Sequence, residues 1–191
     1  MTTHIRVFDF DKTIFLHDST VDFYLYCLLR RPYIALLLPY QLWGMLCYLL
    51  KRCDKTTMKQ RFFSFLRFIG NGEKLLEGFW REKAHLIAKW YRALPAHDRD
   101  VVISASPHFL VEGLLRPYGV RAVIASEVDK ATGRFVSPNC YGKQKVVRLS
   151  DAFPDACVEA FYSDSLSDAP LAALAQHAYL VKGETLETWP Q

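Results

Sequence analysis

The chain has 191 residues, of which 51% are apolar, 14% aromatic and 23% charged. That is too apolar for a disordered chain and long enough to bury one core, with room for one sizeable insert. The formal charge of +4 hides a split: residues 30–99 carry 14 basic and 5 acidic side chains, and the remainder carries 10 and 15. A middle of net +9 set in a frame of net −5 excludes a uniformly basic nucleic-acid binder and points to two differently charged parts.

The N-terminal run MTTHIRVFDFDKT places charge inside its first apolar stretch, which argues against a signal peptide. His4–Asp9 reads as a strand and ends in Asp9-Phe10-Asp11-Lys12-Thr13. Two carboxylates one residue apart at the C-terminal edge of a strand stand where open α/β sheets bind ligands. They repel one another and call for a cation, a proton or both; the alternative is a solvated turn. Asp18, before Ser19, reads as a helix N-cap. Residues 32–50, PYIALLLPYQLWGMLCYLL, run 19 residues without a charge between Arg30-Arg31 and Lys51-Arg52. Their length meets the requirement for a membrane span, while Pro39 and Gly44 interrupt it. A span, an interfacial or re-entrant hairpin, and a buried helix pair all remain open. Further on, Phe79, Lys83, Leu86, Ile87, Trp90 and Leu94 fall near one face of a helix. No strand pattern occurs in this stretch, so the middle is expected to be an all-helical insertion. Cys27, Cys47, Cys53, Cys140 and Cys157 show neither zinc nor disulfide spacing and read as reduced thiols.

Val101–Ser104 (VVIS) reads as the second strand. Ser106 then reads as an N-cap and Pro107 as the first position of a helix reaching Arg116, stopped by Pro117 and Gly119. Ala122–Ala125 is a third strand, and SEVDKATGRFVSPNC over 126–140 suggests a β-hairpin excursion around Gly133. Helices over Lys143–Asp151 and Ala169–Gln176, with strands over Val158–Ser163 and Ala178–Val181, complete the pattern. Alternating strands and helices predict an α/β fold with an open, mostly parallel sheet. Residues 1–19 and 96–191 are expected to form its core and 20–95 a helical insert.

Besides Asp9 and Asp11, the strand and helix ends carry Ser104, Lys145, Asp164 and Asp168, the last two in YSDSLSDAPL. Singly, each has a plain reading as a turn, a solvated lysine or an N-cap; together in that order they form a set. In this set the sequence resembles the haloacid-dehalogenase-like superfamily of phosphohydrolases, over essentially the whole chain. Its first motif would be Asp9-x-Asp11-x-Thr13, its second Ser104, its third Lys145 and its fourth Asp164-x-x-x-Asp168. The helical insert after the first motif resembles the cap of the phosphoserine-phosphatase-like branch. LRRPYIALLLP, the run Cys140 to Val146 and YSDSLSDAPL are similar to bacterial phosphatidylglycerophosphatases of the C type.

The resemblance implies a Rossmann-like core and a Mg2+-dependent phosphatase. Asp9 would be the nucleophile, forming an aspartyl-phosphate, and Asp11 the general acid and base. Mg2+ would be held by the Asp9 carboxylate, the Asp11 carbonyl and Asp164. Thr13, Ser104, Ala105 and Lys145 would hold the phosphoryl oxygens, and Asp168 would orient Lys145 or the metal shell. Lys143 is the rival for the third-motif lysine. Lys12 stands where many relatives have Gly, and Ser163 replaces the Gly that often precedes the fourth-motif Asp. Asp18 lies where amino-acid phosphatases of the branch place a substrate-reading acid. His108 reads as a surface histidine.

A basic, aromatic insert with a long apolar run suits an anionic amphiphile or an anionic membrane surface. The expected substrate is thus a phosphomonoester, in its special case a phosphatidylglycerophosphate-like lipid at the inner face of the cytoplasmic membrane, with the protein otherwise cytoplasmic. A solvated helical bundle is the alternative reading of the insert, and no nucleic-acid motif accompanies its basic residues. A soluble small-metabolite phosphatase, and a non-catalytic relative binding phospholigands or membranes, are the competing functions. No obligate protein partner is evident.

Overall fold

The alternation of apolar residues in the first strand sets up both faces of the molecule. In the computed structural model, which describes residues 3–70 and 72–190, β1 (Thr3–Phe8) sends Ile5 and Val7 to one face and Phe8 to the other. Period-two alternation does the same in β2 (Asp100–Pro107), where Val101 and Ile103 oppose Val102. With β3 (Ala122–Ser126), β4 (Ala156–Ser163), β5 (Ala175–Lys182) and β6 (Thr185–Thr188), the order across the sheet is β3-β2-β1-β4-β5-β6. All pairings are parallel except β5 with β6. The α/β, mostly parallel architecture expected from the sequence is what forms.

The edge hairpin to β6 was not legible. Its turn runs through Gly183, at φ +61°, between the paired Lys182 and Thr185. TLET is exposed throughout and carries no apolar face to betray a strand. Its polarity suits an edge that must not recruit another chain.

Between β1 and β2 lie α1 (Ser19–Arg30), α2 (Leu38–Leu49), α3 (Lys55–Phe62), α4 (Gly72–Lys83) and α5 (Lys89–Arg92), with 3-10 turns over Pro32–Leu37 and Phe63–Phe68. After β2 come α6 (His108–Leu115), α7 (Lys143–Ala152) and α8 (Ala169–Ala172). α1, α4 and α6 pack with Phe8 and Val102 in one apolar cluster, while α7 and α8 cover the other face.

Four local expectations need correction. The helix through Phe79 to Leu94 is broken: α4 ends at Lys83, and Ile87 and Ala88 are extended, Ala88 donating its N–H to the Ile14 carbonyl at 2.8 Å. Ser106 does not cap α6, because β2 continues through Pro107 and the Ser106 hydroxyl is engaged by Asp11. The helix from Ala169 stops at Ala172; residues 175–182 pair with β4 instead, tertiary pairing overriding the helix propensity of an alanine-rich run. The 126–140 excursion is a hairpin with a single antiparallel bridge, Val128 to Phe135, rather than two strands.

The apolar stretch is not a buried pair. Pro32–Leu49 is long and apolar enough to cross a membrane by length and composition. Within it Ile34, Gln41, Gly44 and Cys47 are buried, while Leu36, Leu42, Trp43 and Leu49 are 52–82% exposed.

Gly113 on α6 shows how closely the helical layer packs: a Cβ there would lie 2.0 Å from the Trp80 ring of α4. Gly113→Ala is expected to cost about 1–3 kcal/mol, seen as a lower urea midpoint at unchanged slope. An unchanged midpoint would show that α4 moves aside freely.

Candidate active site

β1 is the central donor of chemistry because strands bearing functional residues flank it on both sides. Asp9 follows its last residue and continues the ladder, its N–H donating to the Tyr162 carbonyl at 2.8 Å. β2 brings Ser104 from one side and the turn after β4 brings Asp164 from the other. α7 begins after Gly142, whose φ of +57° lets the chain turn sharply, and delivers Lys145 in its first turn. Asp9, Asp11, Asp18, Ser104, Ala105, Lys145, Asp164 and Asp168 line one cleft of about 170 Å³. Larger cavities, up to about 530 Å³, lie elsewhere; the chemistry of the lining, not its volume, singles this cleft out.

At its floor the buried Lys145 ammonium donates to Asp9 Oδ1 at 2.6 Å and to Asp168 Oδ2 at 2.7 Å. The Ser163 hydroxyl adds a third link, donating to Asp168 Oδ2 at 2.9 Å. Burial acts to lower the lysine pKa, but the two carboxylates outweigh it and hold the group above its ordinary range. Lys143 has no such contacts; of the two lysines, Lys145 is the one in the cleft. Burial raises Asp9 to about 6, with the charges of Asp168 and Asp11 adding and Lys145 opposing. Asp164 is likewise raised to about 6, by burial and then by Asp9. Its carboxylate makes no hydrogen bond or ion pair among the described residues.

Asp11 is held differently. Its Oδ1 accepts the Ser19 N–H at 2.7 Å and its Oδ2 accepts the Ser106 hydroxyl. Burial, then the charge of Asp18, pushes its pKa up. Asp18 caps α1, accepting from the Val21 N–H at 3.0 Å, and also lines the cleft, so the cap and the cleft reading coexist. The Thr13 hydroxyl is buried and accepts the Asp164 N–H at 2.9 Å, which couples the loops after β1 and β4 rather than facing the cleft. His108 lies outside the cleft, 3.8 Å from Glu112.

The sequence reading missed several residues. Lys59 of α3 reaches across to donate to the Ala105 carbonyl at 2.8 Å. Burial and then the neighbouring Lys55 charge lower its pKa to about 8. Tyr141 lines the cleft, with the Lys55 ammonium 3.4 Å from its ring centroid. Ser106 was assigned to a cap. No spacing signal links Lys59 to the strand ends, because it arrives from a remote helix. Lys12 has φ +58°, which explains why a glycine would suit this position.

A family model for haloacid dehalogenase-like hydrolases matches residues 7–173. Protein CicA from Caulobacter vibrioides is 32% identical over 95 residues, 47% of this chain. That match spans 43% of the length of CicA. A solved protein of unknown function from Bordetella pertussis Tohama I is similar over 93% of this chain and 89% of its own, with a TM-score of 0.74 at 22% identity. A probable phosphoserine phosphatase from Vibrio cholerae, solved without ligand, covers 93% of this chain and 55% of its own, with a TM-score of 0.60 at 11% identity. At these identities the two structures speak for the fold.

Lys145→Met would leave Asp9 and Asp168 buried without their counter-ion, an expected loss of about 3–5 kcal/mol near neutral pH. Protonation neutralises Asp9 as pH falls through its raised pKa, so the loss should shrink toward about pH 5. Urea unfolding at the two pH values tests this, and an equal loss at both would contradict the assigned coupling.

Proposed function

The chain belongs to the haloacid dehalogenase-like hydrolase family, and we propose that it hydrolyses phosphomonoesters through an aspartyl-phosphate on Asp9. One observation carries the reading: Lys145 fixes one Asp9 oxygen while the other accepts no hydrogen bond among the described residues, in a cleft shared with Asp11. In the first step the free Asp9 oxygen attacks phosphorus and the bond to the leaving oxygen breaks. Asp11, whose pKa burial raises above the ordinary carboxylate value, gives that oxygen its proton. In the second step Asp11 takes a proton from the attacking water, the aspartyl-phosphate bond breaks, and inorganic phosphate leaves. Ser104, Ala105 and Lys145 line the space for the phosphoryl oxygens and supply the electrostatic stabilisation, and Lys59 holds the Ala105 carbonyl. Thr13 serves by holding the Asp164 loop and Asp168 by holding Lys145.

The donor chemistry fits Mg2+. Asp9 is a buried and Asp164 a partly buried carboxylate; burial raises the pKa of both, and nearby carboxylates add to it. Among the described residues no three His, Cys, Asp or Glu side chains converge on one point. A cation here would therefore rest on Asp9, Asp164 and the Asp11 carbonyl, with oxygens from water and substrate completing the shell, as suits a hard ion. Bound there, it would offset charge repulsion between Asp9 and the phosphate.

Residues 20–95 are proposed to act as a cap over a core formed by 1–19 and 96–191. The uncharged, largely exposed run over 32–50 between basic pairs supports a lipid phosphate, of the phosphatidylglycerophosphate type, over a soluble ester, and with it a position at the inner face of the cytoplasmic membrane.

With Mg2+ and a panel of soluble and detergent-dispersed lipid phosphates, the protein should release inorganic phosphate. Asp9→Asn should reduce release to background, and Asp11→Asn should lower it about 10²–10⁴-fold. Wild-type turnover by Asp9→Asn sinks the mechanism; release from soluble esters alone removes the lipid assignment.

Mg2+ should also govern stability. Asp9 and Asp164 have folded pKa values near 6 against 3.8 for an ordinary aspartate, so the metal-free fold loses stability as pH rises through that window. Thermal melts in chelator should fall between about pH 5 and about pH 7.5, and Mg2+ should raise Tm more at the higher value, where it no longer competes with protons. A Tm indifferent to Mg2+ at the higher pH would remove the metal assignment.

A further inference from the structure

The helix that touches Ala105 and Tyr141 beside the candidate cleft has a second, opposite face. At about 3.6 residues per turn, Lys55 and Lys59 of α3 share the side turned to Tyr141 and Ala105. Thr57, Gln60 and Arg61 fall on the other side, where they line a separate cavity of about 520 Å³. Arg67 and Arg134 complete its cationic lining, and no acidic residue contributes to it. The excursion carrying Arg134 is held close because Gly133 packs on the Phe63 carbonyl, where a Cβ would lie 2.2 Å away; Arg67 Nε donates to the Thr132 carbonyl at 3.1 Å. Arg61 Nη1 and Ser64 Oγ, both from residues lining this cavity, are buried donors without a hydrogen-bond partner. Three arginines and two unmet donors describe an anion site.

Its rim is apolar. Leu37 and Tyr40 line it and belong to the same stretch as the exposed Leu36, Leu42, Trp43, Leu46, Leu49 and Leu50. This stretch cannot leave the body without dismantling buried contacts. Gln41 accepts from the Tyr24 hydroxyl at 2.9 Å and donates to the Phe62 carbonyl at 3.0 Å, and Gly44 sits against the Arg61 side chain. α2 alone, at about 18 Å, falls short of a hydrocarbon core of about 30 Å. Held along α3, its apolar side can enter only one leaflet. Arg30, Arg31, Lys51 and Arg52 flank it at both ends.

The geometry points to a one-leaflet docking surface in which the exposed side of α2 enters an anionic bilayer and the Arg61–Arg67–Arg134 groove takes the phosphate of an anionic phospholipid as an anchor, distinct from the substrate cleft. This deepens the membrane-facing part of the function proposed above and does not depend on the hydrolytic part.

Co-sedimentation with phosphatidylcholine vesicles, with and without phosphatidylglycerol, tests it. The wild type should bind the phosphatidylglycerol vesicles selectively, with a blue shift in tryptophan emission that Trp43→Phe diminishes. Arg67→Ala with Arg134→Ala should weaken binding about fivefold for each arginine, and more than Arg92→Ala with Arg116→Ala, exposed arginines outside the groove. Leu42→Ser with Leu49→Ser should abolish binding. All these positions are exposed, and far-ultraviolet circular dichroism checks that each variant folds. A wild type that stays in the supernatant, binds both vesicles equally, or loses as much with the control pair overturns the proposal. Phosphate release with Mg2+ from the soluble and lipid esters above, measured on the same samples, separates the readings: release without vesicle binding overturns the docking surface alone, and vesicle binding without release from any ester overturns the hydrolase reading alone.

Discussion

The rest of the site depends on one ammonium group. Lys145 stands between Asp9, from the end of β1, and Asp168, from the loop after β4, and no other described cation touches either carboxylate. Parallel strands bring these acids together because functional residues collect at one edge of the sheet. The same crowding would drive them apart without a buried positive charge. A pair removed from water this far gains only if the remaining polar atoms are met. Ser163 meets an Asp168 oxygen, and Thr13 fixes the backbone of the residue between, so the loops after β1 and β4 and the start of α7 are tied into one unit.

α3 extends that unit outward. It holds the Ala105 carbonyl beside the cleft through Lys59 and contributes Arg61 to a second basic cavity, and its approach to α2 is possible because Gly44 has no side chain to meet Arg61. The basic middle of the chain is therefore not one cationic face. Part of its charge addresses the phosphoryl site, part lines the outer groove, and part flanks the apolar stretch. Each location faces an anion in the proposed reading, which is why the positive excess is confined to the segment between β1 and β2.

The fold and the six principal side chains were legible because their signals are local. Strand runs of four to six mostly apolar residues, ending at Asp, Ser or Asp-x-x-x-Asp, announce both sheet and edge, and Lys145 opens a visible helix. What was hidden depends on packing between distant segments. The break at Ile87–Ala88 arises from pairing with Ile14, not from a proline or glycine in the helix pattern. Ser106 looked like a cap because its neighbours spell one, yet its hydroxyl is taken by Asp11, 95 residues away in sequence. The apolar run was ambiguous because a span, an interfacial helix and a buried pair share composition. Only the exposure of Leu36, Leu42 and Leu49 removes the buried pair.

The charge balance of the cleft argues for what should enter it. Lys145 is matched by two carboxylates, whereas Lys59 has a single carbonyl as hydrogen-bond partner and a pKa lowered to about 8 by burial and Lys55 against the weaker pull of Asp11 and Asp18. Asp9 and Asp164 are raised to about 6, chiefly by burial, with Asp168 and Asp11 adding to the first and Asp9 to the second. A lone cation entering would relieve the carboxylates and worsen the lysine; a lone phosphate would do the reverse. A divalent cation arriving with a phosphate group satisfies both at once, each ligand lowering the cost of the other. The same cleft would hold an uncharged substrate poorly, because it would leave Lys59 and the carboxylates uncompensated. In the proposed reading, the residues that carry the chemistry thus also favour a metal-bound anion before any part of the leaving group is read.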